Sequence, residues 1–235
     1  MNPFEIATSL SQPEIVGTVH STDSLAAARK IKKTQCDWLE LRVDSFFPLT
    51  DALLRAAPKL PLPCIITVRH PAEGGAAPGI TPAERRALYA TFLDSATLID
   101  IELRSAAPMR ETIRMARERG VGLILSHHDF TRTPSLSKLR TLAHRARAAG
   151  ADIFKVAAMT HTPRDIAVLL EFLASEKTRL PLAVMGMGAY GKVSRLILSQ
   201  TGSRLNYGYL GRANASGQWP VAVLKARLGE IMAEE

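Results

Sequence analysis

Short runs rich in Val, Ile, Leu and Thr alternate along this chain with stretches in which apolar residues recur every three to four positions. The runs are "EIVGTVH" (14–20), "DWLELRVD" (37–44), "CIITVRH" (64–70), "TLIDIEL" (97–103), "VGLILSH" (121–127), "DIFKVAA" (152–158), "LAVMGM" (182–187) and "LNYGYLG" (205–211). Their length and β-branched content predict strands. Between them, spacings such as Leu25, Ala28 and Ile31, or Leu136, Leu139 and Ala143, predict helices with one buried face. Thr81-Pro82, Thr133-Pro134 and Thr162-Pro163 each set a capping hydroxyl before a proline at the first helical position, and Glu84 completes a capping box with Thr81. A last amphipathic helix is expected over 219–233.

Eight strands alternating with eight helices predict an α/β fold: a single-domain (β/α)8 TIM barrel of parallel strands over residues 1–235. An open doubly wound sheet is the alternative, but no GxGxxG follows the first strand. Nor does any composition break or long linker suggest a second domain.

Composition changes this picture little. At 46% hydrophobic and 22% charged residues, the chain is an ordinary globular one. No apolar run approaches the ~18–20 residues of a membrane helix, and the start "MNPFEIATSLSQPE" lacks the basic and apolar regions of a signal peptide. Cys36 and Cys64 are isolated, which argues against a disulfide framework or a thiolate zinc site and for a cytoplasmic protein. The net charge of +8 invites a nucleic-acid reading. Yet the basic residues are scattered over helix faces, and aromatics do not interleave with them as stacking platforms would. Such a surface instead draws small anions.

In a barrel, chemistry sits where strands end and βα loops begin. Strand two ends in Glu40 and Arg42, two apart and so on one face; strand three ends at Arg69, followed by Glu73 in "HPAEGG". Strand four holds Asp100 and Glu102, strand five ends in "SHHDF", strand seven runs into "MGMGAYGKVSR" with Arg195, and "GRANASGQ" follows strand eight. Strand six holds Lys155 inside an apolar run. Its amine either snorkels to water or is kept partly neutral so that it attacks a carbonyl. Glu40 with Arg42, or Asp100 with an arginine, also reads as a structural ion pair. His127, His128 and Asp129 suggest a metal, but adjacent strand residues face opposite ways, so no metal site is expected. The convergence of a lysine, histidines, arginines and carboxylates on one rim favours catalysis.

These residues resemble type I 3-dehydroquinate dehydratase, the Schiff-base enzyme of the shikimate pathway. The resemblance rests on "ELRVD" (40–44), "TVRHPAEGG" (67–75), "DIEL" (100–103), "SHHDF" (126–130), "ADIFKVA" (151–157), "MGMGAYGKVSR" (185–195) and "SGQ" (216–218), in order along nearly the whole chain. It implies that Lys155 forms an imine with the substrate ketone, that His128 is the general acid and base, and that Glu73 orients this histidine. It further implies that Glu40, Arg42 and Arg69 bind the substrate's hydroxyls and polar rim, that Arg195 binds its carboxylate, and that Gln218 belongs to a closing loop. Thr18, at the end of strand one, is implied as a further contact. Asn214 stands where the family usually has serine, and Tyr207 where strand eight usually carries another aromatic residue.

The chemistry explains the residue types. Abstracting a proton α to a ketone leaves a poorly stabilised carbanion, whereas a protonated imine is an electron sink. Lysine supplies it when partly neutral, a state favoured by partial burial and nearby cations such as Arg69 or Arg195. One histidine takes the α-proton and later protonates the departing hydroxyl. No cofactor is required. The expected partner is the small-molecule substrate 3-dehydroquinate, in a homodimer that binds neither nucleic acid nor membrane. A class I aldolase, or an inactive barrel acting as an interaction protein, are the alternatives.

Overall fold

A computed structural model describes residues 12–176 and 180–233. Most of the N-terminal stretch read for a signal peptide (1–11) lies outside the described residues, as do the ends of the 1–235 domain span.

The strands are β1 (Glu14–Val19), β2 (Trp38–Arg42), β3 (Cys64–Thr67), β4 (Leu98–Glu102), β5 (Gly122–Asp129), β6 (Ile153–Met159), β7 (Leu182–Met187) and β8 (Leu205–Tyr209). They alternate with α1 (Thr22–Ala28), α2 (Asp51–Ala56), α3 (Pro82–Phe92), α4 (Arg110–Glu118), α5 (Leu136–Ala148), α6 (Pro163–Ser175), α7 (Gly191–Gln200) and α8 (Val221–Met232). All strands pair in parallel, in the order β7-β6-β5-β4-β3-β2-β1-β8. The remaining seam, β7 against β8, closes by isolated bonds. The Arg204 N–H donates to Leu182 O at 2.8 Å, and the Ser203 hydroxyl bridges both backbone groups of Val184. The expected TIM barrel is therefore present.

Two apolar layers hold it. Between strands and helices lie Val19, Leu41, Ile66, Ile101, Leu125, Val156 and Val184 with helix residues such as Phe92, Leu139 and Phe172. Inside the barrel, Val16, Trp38, Ile65, Leu98, Ile124, Ile153, Ala183 and Leu205 fill the N-terminal end of the strands. Because strand side chains alternate, the next inward residues are two positions on: Thr18, Glu40, Thr67, Asp100, Ser126, Lys155, Met185 and Tyr207. Apolar packing thus supports a polar layer one step closer to the C-terminal rim.

Helix starts follow the capping pattern in two of three cases. Thr81 and Thr162 cap α3 and α6, with Glu84 and Asp165 completing their boxes. Thr133 does not. Its hydroxyl donates to Met159 O at 2.8 Å, and Ser135 caps α5 two residues later. Strands two and three are shorter than expected: Val43–Ser45 forms a helical turn, and β3 ends at Thr67. The last helix starts at Val221 rather than 219.

Candidate active site

At the C-terminal mouth of the barrel a cavity of about 250 Å³ is lined by Thr18, Glu40, Arg42, Arg69, Glu73, His128, Lys155, Arg195, Asn214 and Gln218. Every residue to which the resemblance gives a site role lies on this one surface, whereas Asp100 and Glu102 are fully buried and do not line it. Gly74, Phe130, Met185, Met187 and Tyr207 complete the wall.

Lys155 is 3% exposed, so its amine does not snorkel to water. Nζ lies 2.9 Å from Asp100 Oδ2 and 3.5 Å from Glu40 Oε1. The immediate charges around the amine are thus carboxylates rather than the expected arginines. Arg69 is committed to the same acids: it reaches both oxygens of Asp100 at 3.1 and 2.8 Å, Glu102 at 3.1 Å and the Ser126 hydroxyl at 2.7 Å. Arg85 from α3 holds the other Glu102 oxygen at 2.6 Å through the barrel wall. Burial alone would raise the Asp100 carboxyl, but Arg69 and Lys155 hold it far below the usual carboxylate range. Glu40 is braced by the hydroxyls of Thr18 (3.3 Å) and Thr67 (3.0 Å).

Arg42 donates from Nε and Nη2 to both oxygens of Asp44 at 3.0 and 2.8 Å, and from Nη2 to Gly74 O at 3.0 Å. Asp44 also accepts the backbone N–H groups of Arg69 and Ala76, tying the ends of β2 and β3 into one support. The loop after β3 turns at Gly74, whose φ of +83° suits glycine, and a Cβ there would come 2.6 Å from the Phe130 ring. This turn delivers Glu73 to His128, while Phe130 stacks beside the imidazole with centroids 6.3 Å apart. Glu73 Oε2 accepts the His128 backbone N–H at 2.9 Å and lies 3.0 Å from Nδ1, leaving Nε2 for a ligand. Burial pushes the Glu73 carboxyl up to about 7 against the pull of Arg69. Burial and then the charges of Arg69 and Lys155 hold His128 well below its ordinary value, as a neutral base. His127 does not line the cavity, as strand alternation requires; the charges acting on it include Asp129, Lys138 and Arg145.

Arg195, 1% exposed, donates from Nε to Tyr207 O (3.1 Å) and from Nη1 to the carbonyls of Gly186, Gly191 and Gly217 (2.7, 2.9 and 2.7 Å). Burial lowers it to about 10, with no carboxylate among the described residues opposing that effect. A buried guanidinium without a counter-ion is a receptor for an anion. The loop after β8 lines the mouth with Asn214, Ala215 and Gln218. Gln218 Oε1 accepts the N–H groups of Asn214 (3.1 Å) and Ala215 (3.3 Å), and Ser216 Oγ accepts the N–H of Gly188 (3.1 Å).

Sequence patterns do not single out Asp44, Ser126 and Arg85 as site residues. Asp44 was readable two positions after Arg42 within "ELRVD", whereas nothing local marks Ser126 or Arg85 as partners of strand-four acids.

The family model of type I 3-dehydroquinase matches residues 16–234. The 3-dehydroquinate dehydratase of Albidiferax ferrireducens is 36% identical over 205 residues, covering 82% of this chain and 78% of the relative. That of Geobacillus thermodenitrificans is 32% identical over 231 residues, covering 93% and 89%. A crystal structure of 3-dehydroquinate dehydratase from Geobacillus kaustophilus superposes with a TM-score of 0.85 at 30% identity, covering 95% of this chain and 93% of that one. With a buried lysine, a carboxylate-held histidine and an arginine lacking a counter-ion around one barrel mouth, the chain belongs to the type I 3-dehydroquinase family.

Proposed function

We propose that this chain removes water from 3-dehydroquinate to give 3-dehydroshikimate through an imine on Lys155. The observation that carries this reading is the cavity itself, which the buried Lys155, the Glu73-held His128 and the uncompensated Arg195 all line. The substrate carboxylate docks on Arg195, which places the ring ketone toward Lys155. Glu40, Arg42 and Thr18 bind ring hydroxyls, and Arg69 organises the acids from behind. The amine attacks the carbonyl as it leaves Asp100, and the ketone oxygen departs as water to give the protonated imine, which water hydrolyses after dehydration to free the lysine and the product. His128, neutral at the outset, takes the α-proton through Nε2, and the imidazolium then protonates the departing hydroxyl. Glu73 fixes the ring throughout. Gln218 and Asn214 belong to the loop that covers the substrate and excludes water.

An aldolase would need a base at an aldol hydroxyl, and family membership favours dehydration over carbon–carbon cleavage. The rest of the expected profile belongs to the same proposal. One barrel domain spanning 1–235 acts in the cytoplasm, where the free, buried Cys36 and Cys64 suit a reducing compartment. No helix among the described residues is long and apolar enough to cross a membrane. Exposed Val193, Ile197 and Val223 on α7 and α8 offer apolar surface for a homodimer, which light scattering would detect.

The test is conversion of 3-dehydroquinate by the purified protein, followed through absorbance of the conjugated enone. Turnover abolished by Lys155→Ala supports the reading. Release of an aldehyde, or a folded protein without turnover, contradicts it.

A further inference from the structure

Tyr207 sits in the middle of β8, paired with Val16 of β1, and its ring projects into the barrel. Lys155 Nζ lies 3.8 Å from the ring centroid, a cation–π contact. The phenol hydroxyl is buried, yet it has no hydrogen-bond partner among the described residues. Its neighbours in the polar layer are engaged: Glu40 with Thr18 and Thr67, Asp100 with Arg69, Ser126 and Lys155. An unpaired buried hydroxyl carries a desolvation cost that phenylalanine would not. Burial, and after it the charges of Glu40 and Asp100, hold the phenol well above its ordinary titration range, so it stays a donor.

We propose that Tyr207 is a positioning residue for Lys155, its ring seating the amine and its hydroxyl supplying the donor that Glu40 loses when the amine becomes an imine. The inference rests on the lysine-imine reading above. When an ammonium and a ketone condense, a carbon–nitrogen double bond forms and the carbonyl oxygen leaves as water with two of the three ammonium protons. The protonated imine keeps one N–H where the ammonium had three. Two carboxylates shared that ammonium, Asp100 at 2.9 Å and Glu40 at 3.5 Å. Asp100 retains Arg69 and Ser126 at 2.6–3.1 Å, whereas Glu40 retains two threonine hydroxyls and an Arg69 nitrogen 3.8 Å away. Even where a ring hydroxyl binds Glu40 Oε2 beside Thr18, Oε1, the oxygen that faced the ammonium, loses a donor and keeps Thr67, and Glu40 is the first charge acting on the Tyr207 phenol. A hydroxyl idle in the free protein becomes useful once the imine exists. That accounts for a buried polar atom that the free state alone would select against.

Tyr207→Phe and Tyr207→Leu, each compared with the parent protein, separate ring from hydroxyl. Each is mixed with 3-dehydroquinate, quenched with borohydride at timed intervals and weighed intact; kcat, KM and the ligand-free Tm are measured alongside. The Phe variant should keep or raise Tm, because an unpaired group is gone, while adduct formation and kcat fall about fivefold, the worth of about one hydrogen bond. Its KM should change little, since the carboxylates acting on the phenol are Glu40 and Asp100, while Arg195 bonds the Tyr207 backbone carbonyl, which the substitution keeps. The Leu variant should form adduct more slowly still. Equal labelling rates for parent and Tyr207→Phe overturn the hydroxyl's part, and a lowered Tm does so too, because it places a partner on the hydroxyl in the free protein. Equal rates for the Phe and Leu variants overturn the ring's part. A parent protein that takes up no label removes the lysine-imine reading instead.

Discussion

One oxygen of Glu73 holds His128 twice: Oε2 accepts the histidine's backbone N–H at 2.9 Å and lies 3.0 Å from its Nδ1. The two contacts fix strand end and imidazole together, so the ring cannot turn without disturbing β5. Both groups titrate away from their ordinary values, the carboxyl up to about 7 and the imidazole downward. The pair therefore has a proton to exchange near neutrality.

Stability should register this. A carboxyl more basic when folded than when unfolded binds the extra proton in the native state. Its contribution is full below the ordinary 4.5 and is lost as pH rises through about 7. His128, held neutral, acts with the opposite sign, losing stability as pH falls below 6.5, and is present in parent and variant alike. Glu73→Gln should thus gain stability relative to the parent as pH rises from 4.5 to about 7. Urea unfolding at either end of that window measures the difference. A constant gap would mean that Glu73 titrates like an exposed acid.

Asp100 is the hub of the buried charges, bonded to both Arg69 and Lys155. Asp100→Ala leaves two cations without their shared partner and should destabilise the fold by about 3–5 kcal/mol. Asp100→Asn keeps the shape and some hydrogen bonds, so it should cost less. Denaturant titration decides, and a loss under about 1 kcal/mol for alanine would show that the other acids suffice.

The barrel was legible because each strand alternates and each helix repeats its apolar spacing. The site was legible because inward residues two apart must share the mouth of such a barrel. What crosses the barrel was not. Thr133 looks like a cap beside Pro134, but its hydroxyl goes to Met159 O on the neighbouring strand, a partner no local pattern announces. Arg69 reads as an end-of-strand ligand, yet tertiary contacts with Asp100, Glu102 and Ser126 use most of its donors. The carboxylates around Lys155 come from strands two and four, far from it in sequence.

Arg195 makes four bonds to backbone carbonyls and still lacks a counter-ion among the described residues. Arg195→Lys keeps the charge without the planar fork, and KM should rise about tenfold. Arg195→Ala should lose about 2–4 kcal/mol in kcat/KM. Unchanged KM in the lysine variant would put the substrate carboxylate elsewhere.

Gln218 spends its carbonyl on the N–H groups of Asn214 and Ala215, so it shapes the loop after β8 from within. Gln218→Ala should speed amide exchange over 212–219 by about tenfold and raise KM. Asn214→Ser should leave turnover within about tenfold, because the backbone N–H, not the side chain, makes the bond to Gln218. Exchange unaltered by Gln218→Ala, or by a bound ligand in the parent, would argue against a closing loop.

Borohydride reduction followed by peptide mass spectrometry decides whether Lys155 carries the imine. The parent protein should be inactivated only with substrate or product present, and the reduced ligand should sit on the peptide containing Lys155. Lys155→Ala should trap nothing. His128→Ala should still be labelled, more slowly, while turnover falls by about 10²–10⁴, and His127→Ala should change little because its side chain lies off the cavity. Label on another lysine, or full activity in Lys155→Ala, would mean that Lys155 does not form the imine.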